Sequence, residues 1–168
     1  MATQNRITLK NIKHMASLSE ETYCFTATVY FDGKKVAEAS NRGHGGCTDV
    51  HYESHQAGEA VADFISTLPD VVSSISDFTY KQDDESVIND LLEDFLFQKQ
   101  IKADLKKKIM YLADDGSIRG TKTMTAQKRD LYLGEYLPKL LKDWGIKQEQ
   151  ILNLMPFEKA YSILEAQA

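Results

Sequence analysis

Tyr23, Phe25, Ala27, Val29 and Phe31 alternate with Cys24, Thr26, Thr28 and Tyr30. A period of two places every second side chain on one face, so residues 23–31 predict a half-buried strand. Asp32-Gly33 follows at once. That pair tolerates the positive φ angles of a tight hairpin turn, which makes 34–40 the return strand. Upstream, 7–15 fits as a third strand of an antiparallel meander. Its apolar register slips between Leu9 and Ile12, and such a slip predicts a bulge.

The period then changes. Ala57, Ala60, Val61, Phe64, Ile65 and Leu68 recur at helical spacing, and Pro69 closes the run. Residues 73–80 carry no clear pattern. A second helix is expected from Asp83 or Asp84 to about Lys107, burying Ile88, Leu91, Leu92, Phe95, Ile101 and Leu105. Its acids come early and its lysines late, the order the helix dipole favours. Residues 109–113 and 118–123 flank Asp114-Asp115-Gly116-Ser117 and predict a second hairpin.

Leu133, Tyr136, Leu137, Leu140, Leu141 and Trp144 share a helical face that Gly145 stops. Pro138 inside this run favours a short helix beginning near it over a longer, kinked one. Residues 151–155 predict a last strand, after which Pro156 opens a terminal helix carrying Phe157, Tyr161 and Leu164. Tyr80, Phe95, Phe97, Tyr136 and Trp144 are expected in the core. This order of elements predicts one α+β domain spanning 1–168. Its antiparallel sheet would have about five strands, the N-terminal meander plus the second hairpin, with helices packed on one face.

A chain of 168 residues is long enough for a single core. Its formal net charge of −5 argues against a protein that simply coats nucleic acid. No apolar run approaches the roughly 18 residues that span a bilayer, and the N-terminus lacks the apolar stretch of a secretory signal. Two cysteines, Cys24 and Cys47, make no disulfide framework. The expected setting is cytoplasmic, with reduced thiols and no membrane partner.

One stretch departs from what fold-building requires. Residues 41–55 hold three of the four histidines, one of the two cysteines and three of the nine glycines. Glycines leave backbone N–H groups open to an anion, and the helix after them adds a positive end. Asn41, Arg42, Gly43, His44, Gly45 and Gly46 are therefore candidate ligand contacts for a phosphate-bearing molecule, either a nucleotide or a nucleic acid. The run matches neither the dinucleotide fingerprint nor the P-loop.

A transition metal is the second candidate ligand. His44, Cys47, His51 and His55 would make a local four-ligand set for zinc, with Asp49 beside them. On a helix, His51 and His55 would face the same way. No Cys-x-x-Cys or His-Glu-x-x-His motif accompanies them, and no Gly-x-Ser-x-Gly elbow is present. No catalytic residue is assigned, and whether the chain is an enzyme stays open. Lys102, Lys106, Lys107, Lys108, Arg119, Lys122, Lys128 and Arg129 cluster in sequence near the second hairpin, and Lys10, Lys13, Lys34 and Lys35 near the first. Solvated surface is the simpler reading of both groups; a nucleic-acid patch is the other.

The run Val36 to Gly46 after an Asp-Gly hairpin is similar to a segment of small uncharacterised α+β proteins of phage, plasmid and bacterial genomes. Ile-Met-Tyr-Leu (109–112) after a lysine-rich helix end, and the stretch from Leu-Pro-Lys-Leu-Leu-Lys-Asp-Trp-Gly to Ile-Leu-Asn (137–153), resemble the same group. Arg42 stands where that group is associated with Asp. The group brings no established activity or cofactor. The resemblance implies an accessory protein of a mobile element or its host, one that modulates a host or defence process. Three readings follow: a non-enzymatic protein binding a phosphate-bearing ligand at 41–55, a metal-dependent hydrolase, or an inhibitor or adaptor that meets a host protein.

Overall fold

A computed structural model describes residues 4–72 and 78–167. Where the sequence reads as one domain, the packing falls into two compact units, Met1–Phe95 and Leu96–Ala168.

The first unit is built on a four-stranded antiparallel sheet in the order β1 (Ile7–His14), β2 (Cys24–Phe31), β3 (Lys34–Arg42), β4 (Asp49–Tyr52). The expected bulge is present. Lys10 pairs with Thr28 and Lys13 with Thr26, so β1 holds one residue more than β2 across this step. Asn11, inside the bulge, takes φ 53°. At the hairpin turn Asp32 and Gly33 take φ 48° and 77°, the left-handed pair that a two-residue turn demands.

The sheet's fourth strand comes from within 41–55, where the sequence signalled only a loop. β4 pairs Ser40 with Asp49 and Ala37 with Tyr52. The expectation of about five strands in one sheet is corrected accordingly: the second hairpin forms a separate two-stranded sheet.

Phe25, Ala27, Val29, Ala37 and Ala39 are buried on the sheet, and helix α1 (His55–Ile65) contributes buried Val61 and Ile65. Phe64 of α1 lies against Phe31, ring centroids 5.6 Å apart. Full burial of Phe25, Val29 and Val61 stabilises the fold by about 1.5–3 kcal/mol each. Ser54 starts α1 by accepting the Ala57 N–H. Of the unpatterned stretch, 73–77 lies outside the described residues; β5 (Val71–Val72) pairs with β6 (Thr79–Tyr80) around it.

Helix α2 runs Asp84–Lys107 as expected, and Val87, Ile88 and Leu92 are buried in its first half. Asp90 on the same half is partly buried, which pushes its carboxyl above the ordinary range. The ionised form is thus penalised in the folded state. Asp90→Asn is expected to raise stability at pH 7 by about 0.5 kcal/mol, allowing for solvent screening. The penalty is complete above the raised value and disappears below the unfolded one. The two proteins should therefore converge as acid denaturation curves are taken below about pH 4. A lead for the asparagine form that persists there would refute the assignment.

In the second unit, β7 (Met110–Leu112) pairs with β8 (Ile118–Gly120), and helices α3 (Ala126–Leu133), α4 (Leu137–Trp144) and α5 (Phe157–Glu165) follow. Ile109, Leu140 and Ile151 form the buried centre, with Tyr111, Met124, Leu137, Leu141, Trp144 and Ile146 against it. Pro138 lies in the first turn of a short helix, where its missing N–H is not needed. Gly145 closes that helix at φ 65°.

Two expectations are corrected here. Residues 151–155 form a 3₁₀ turn over Leu152–Leu154, tied to the hairpin by a bridge between Ile151 and Tyr111 and by Asn153, which accepts the Met110 N–H. Tyr80, Phe95 and Tyr136, expected in the core, are exposed, while Phe97 and Trp144 are half-buried. Among the described residues no helix is long and apolar enough to cross a membrane.

Candidate functional site

The glycine segment is held together by the buried side chain of Asn41, near the end of β3. Its Oδ1 accepts from the Gly43 N–H at 2.8 Å and from Thr22 Oγ1 at 3.0 Å. Its Nδ2 donates to the Gly46 carbonyl at 2.8 Å. The Gly43 carbonyl in turn accepts from Glu20, Glu21 and Thr22 backbone N–H groups. The Gly45 N–H points to Thr22 Oγ1 at 3.3 Å. Two of the three glycine donors proposed for an anion are thus already bonded to protein side chains.

Acidic groups border this segment. Glu20 Oε2 lies 3.0 Å from His44 Nδ1, and the Glu21 carboxylate packs over Gly45. A phosphate placed here would meet two carboxylates along with His44. Arg42 is exposed and makes no ion pair among the described residues. Thr48 joins the segment to α2: its N–H donates to Glu85 Oε1 at 2.7 Å and its hydroxyl to Asn89 Oδ1 at 2.9 Å.

The four proposed zinc ligands are not gathered. His51 sits on β4 opposite Glu38, whereas His55 begins α1, so the two do not share a helix. His44 faces Glu20, His55 faces Glu59 at 3.2 Å, and Cys47 is an exposed free thiol. Among the described residues no three His, Cys, Asp or Glu side chains come together as a metal would require. The residues present do not fit a zinc site, which needs at least three protein ligands.

Two cavities are lined by residues outside the glycine segment. In the first unit a hollow of about 370 Å³ is lined by Tyr52, Ala62, Ile65, Leu68, Lys81 and Asp84, among others. The Tyr52 hydroxyl donates to Asp84 Oδ2 at 3.1 Å. Burial, with Asp84 beside it, pushes the phenol well above its ordinary value, so it stays a donor.

In the second unit a cavity of about 410 Å³ is lined by Ile109, Thr121, Tyr132, Tyr136, Lys139, Leu140, Asp143 and Trp144. Tyr132 at the end of α3 and Tyr136 before α4 lie 6.0 Å apart, ring to ring, and are 36% and 44% exposed. Lys128 Nζ stands 6.0 Å from the centroid of Tyr132. Trp144 is stacked on Tyr111, centroids 4.8 Å apart.

Three contacts close the chain over the end of α2. Arg129 donates to the Lys106 carbonyl at 2.7 Å and to Leu105 at 3.3 Å. The Met124 N–H donates to the Lys107 carbonyl at 2.7 Å. Lys106, Lys107, Lys122 and Lys128 are thereby carried by neighbouring segments, all exposed. Arg129 itself, Arg119 and Lys108 leave the basic group predicted from sequence: the first caps α2, and the others pair with Asp115 and Asp104.

Charge divides at the same boundary as the packing. Residues 1–95 hold 7 Lys and Arg against 16 Asp and Glu, formally −9; residues 96–168 hold 13 against 9, formally +4. Among the described residues three of those 13 cations form ion pairs within the unit, and the other ten, all lysines, are exposed. The overall −5 conceals this excess. Tyr132 and Tyr136, set four residues apart and followed by Lys139, were the signal available in the sequence, but Tyr136 has the spacing of a core residue. Set against family models, curated proteins and solved structures, the chain finds no match.

Proposed function

We propose that the chain is a non-enzymatic binding protein for a phosphate-bearing polymer, nucleic acid, and that residues 96–168 supply the contact face. The observation that carries this reading is the +4 excess of the second unit, with ten exposed lysines outside any ion pair among the described residues. Lysines that neutralise phosphates bind such a backbone through release of its counterions. A charge asymmetry between two parts of one sequence points the same way. The 41–46 loop is assigned an architectural part, since Asn41 and Thr22 already engage its donors and Glu20 and Glu21 border it.

The test is fluorescence anisotropy of a labelled oligonucleotide against the full chain at several salt concentrations. Affinity should fall steeply with salt, and the double variant Lys106→Glu/Lys122→Glu should bind about tenfold or more weakly with a shallower salt slope. Lys34→Glu on the first hairpin should change affinity less than twofold. No binding at about 50 mM salt, or an equal loss from Lys34→Glu, would reject the reading.

A further inference from the structure

We infer that the aromatic cavity of the second unit takes unpaired bases, so that the nucleic acid recognised is single-stranded. This rests on the reading of residues 96–168 as the phosphate-binding face and specifies what that face selects. The Tyr132 and Tyr136 rings are inclined at 50° and 6.0 Å apart. Both remain more than a third exposed beside a cavity of about 410 Å³. Tyrosine rings left this open in a folded unit offer π-faces to planar partners, and every base has one.

Charge complementarity selects the occupant. Lys128 places its ammonium 6.0 Å from the Tyr132 centroid, and Lys139 lines the same cavity. A strand threading past could lay its bases on the aromatics while its phosphates meet the lysines. Asp143 is the one carboxylate on the wall, and its oxygens suit the amino group of a base. A duplex keeps its base faces stacked on one another and offers these rings nothing but backbone. An acidic peptide would satisfy the lysines and leave the rings bare.

Trp144 is the only tryptophan in the chain and lines the cavity. Its emission therefore reports occupancy directly. The full chain would be titrated with a 12-nucleotide single-stranded DNA, a duplex of equal length and polyglutamate, following anisotropy and Trp144 fluorescence together. The single strand should bind at least tenfold more tightly than the duplex and quench Trp144. Tyr136→Ala and Tyr132→Leu should each weaken single-strand binding about tenfold and leave duplex binding unchanged. Circular dichroism of both variants should match the parent, since both rings are exposed.

Equal affinity for single strand and duplex, unaltered Trp144 emission, or tyrosine variants that bind like the parent would overturn base recognition while leaving the polyanion face standing. Absence of binding to either nucleic acid, or polyglutamate binding as tightly as both, would overturn the two together.

Discussion

Gly43→Ala is expected to lower the stability of the first unit by about 3 kcal/mol or more. Gly43 holds φ 88°, a left-handed conformation that costs an alanine about 1–2 kcal/mol. A Cβ built there would stand 2.2 Å from the Leu18 carbonyl oxygen and 2.9 Å from Cys24 Cβ. The first obstacle is backbone, which cannot swing away as a side-chain end does, and overpacking of this kind adds about 1–3 kcal/mol. Any shift also pulls the Gly43 carbonyl from the three N–H groups of Glu20, Glu21 and Thr22. Urea denaturation followed by circular dichroism would measure the loss, and faster amide exchange at Glu20–Thr22 would locate it. Gly46→Ala is the control, because a Cβ there meets nothing within 4 Å. Equal stability of the two variants would rule out this account of the loop.

Asn153→Leu is expected to cost the second unit about 3 kcal/mol. Asn153 Oδ1 accepts the Met110 N–H at 2.8 Å, and its Nδ2 donates to the carbonyls of Leu105 and Lys108, each at 2.8 Å. One amide thus satisfies carbonyls at the end of α2 and the first strand of the second hairpin. A leucine of similar size fills the space but takes the partner from the Met110 N–H and the Lys108 carbonyl, at about 1–3 kcal/mol for each one kept from water, while Leu105 keeps its bond from Arg129. Asn153→Asp retains the acceptor and turns a carboxylate toward two carbonyls, so it should do no better. Unfolding monitored at Trp144, inside this unit, reads the effect. A leucine variant within 0.5 kcal/mol of the parent would mean that water replaces the amide at no cost.

The parts of the fold that could be read in the sequence are those written in neighbouring residues. Alternation through Phe25, Ala27 and Val29, the Asp32-Gly33 turn, the slip at Asn11 and the Pro138–Gly145 bracket all concern contacts a few positions apart, and the structure agrees with each. What escaped depends on distant partners. Asn41 reads as a loop residue until Thr22, 19 positions earlier, is found beside it. β4 is short and its histidine gives no apolar alternation, so only its pairing with β3 reveals it. Tyr136 has the spacing of a core residue and is nonetheless 44% exposed.

The candidate site was harder to read for the same reason. Residues 41–55 drew attention because unusual residue types lie close together in the chain, yet His51 and His55 end up on different elements. The lysines around Tyr132 drew less, because the acids of residues 1–95 outweigh them in any whole-chain sum. The division between Phe95 and Leu96 is what gives the second sum its meaning.

A sequence isoelectric point near 5.4 would send a purifier to an anion-exchange column and predict that the protein ignores a sulfonate resin. Adsorption responds to the patch that touches the bead, not to the molecular total. This protein should be retained by both kinds of resin at neutral pH, each released by moderate salt.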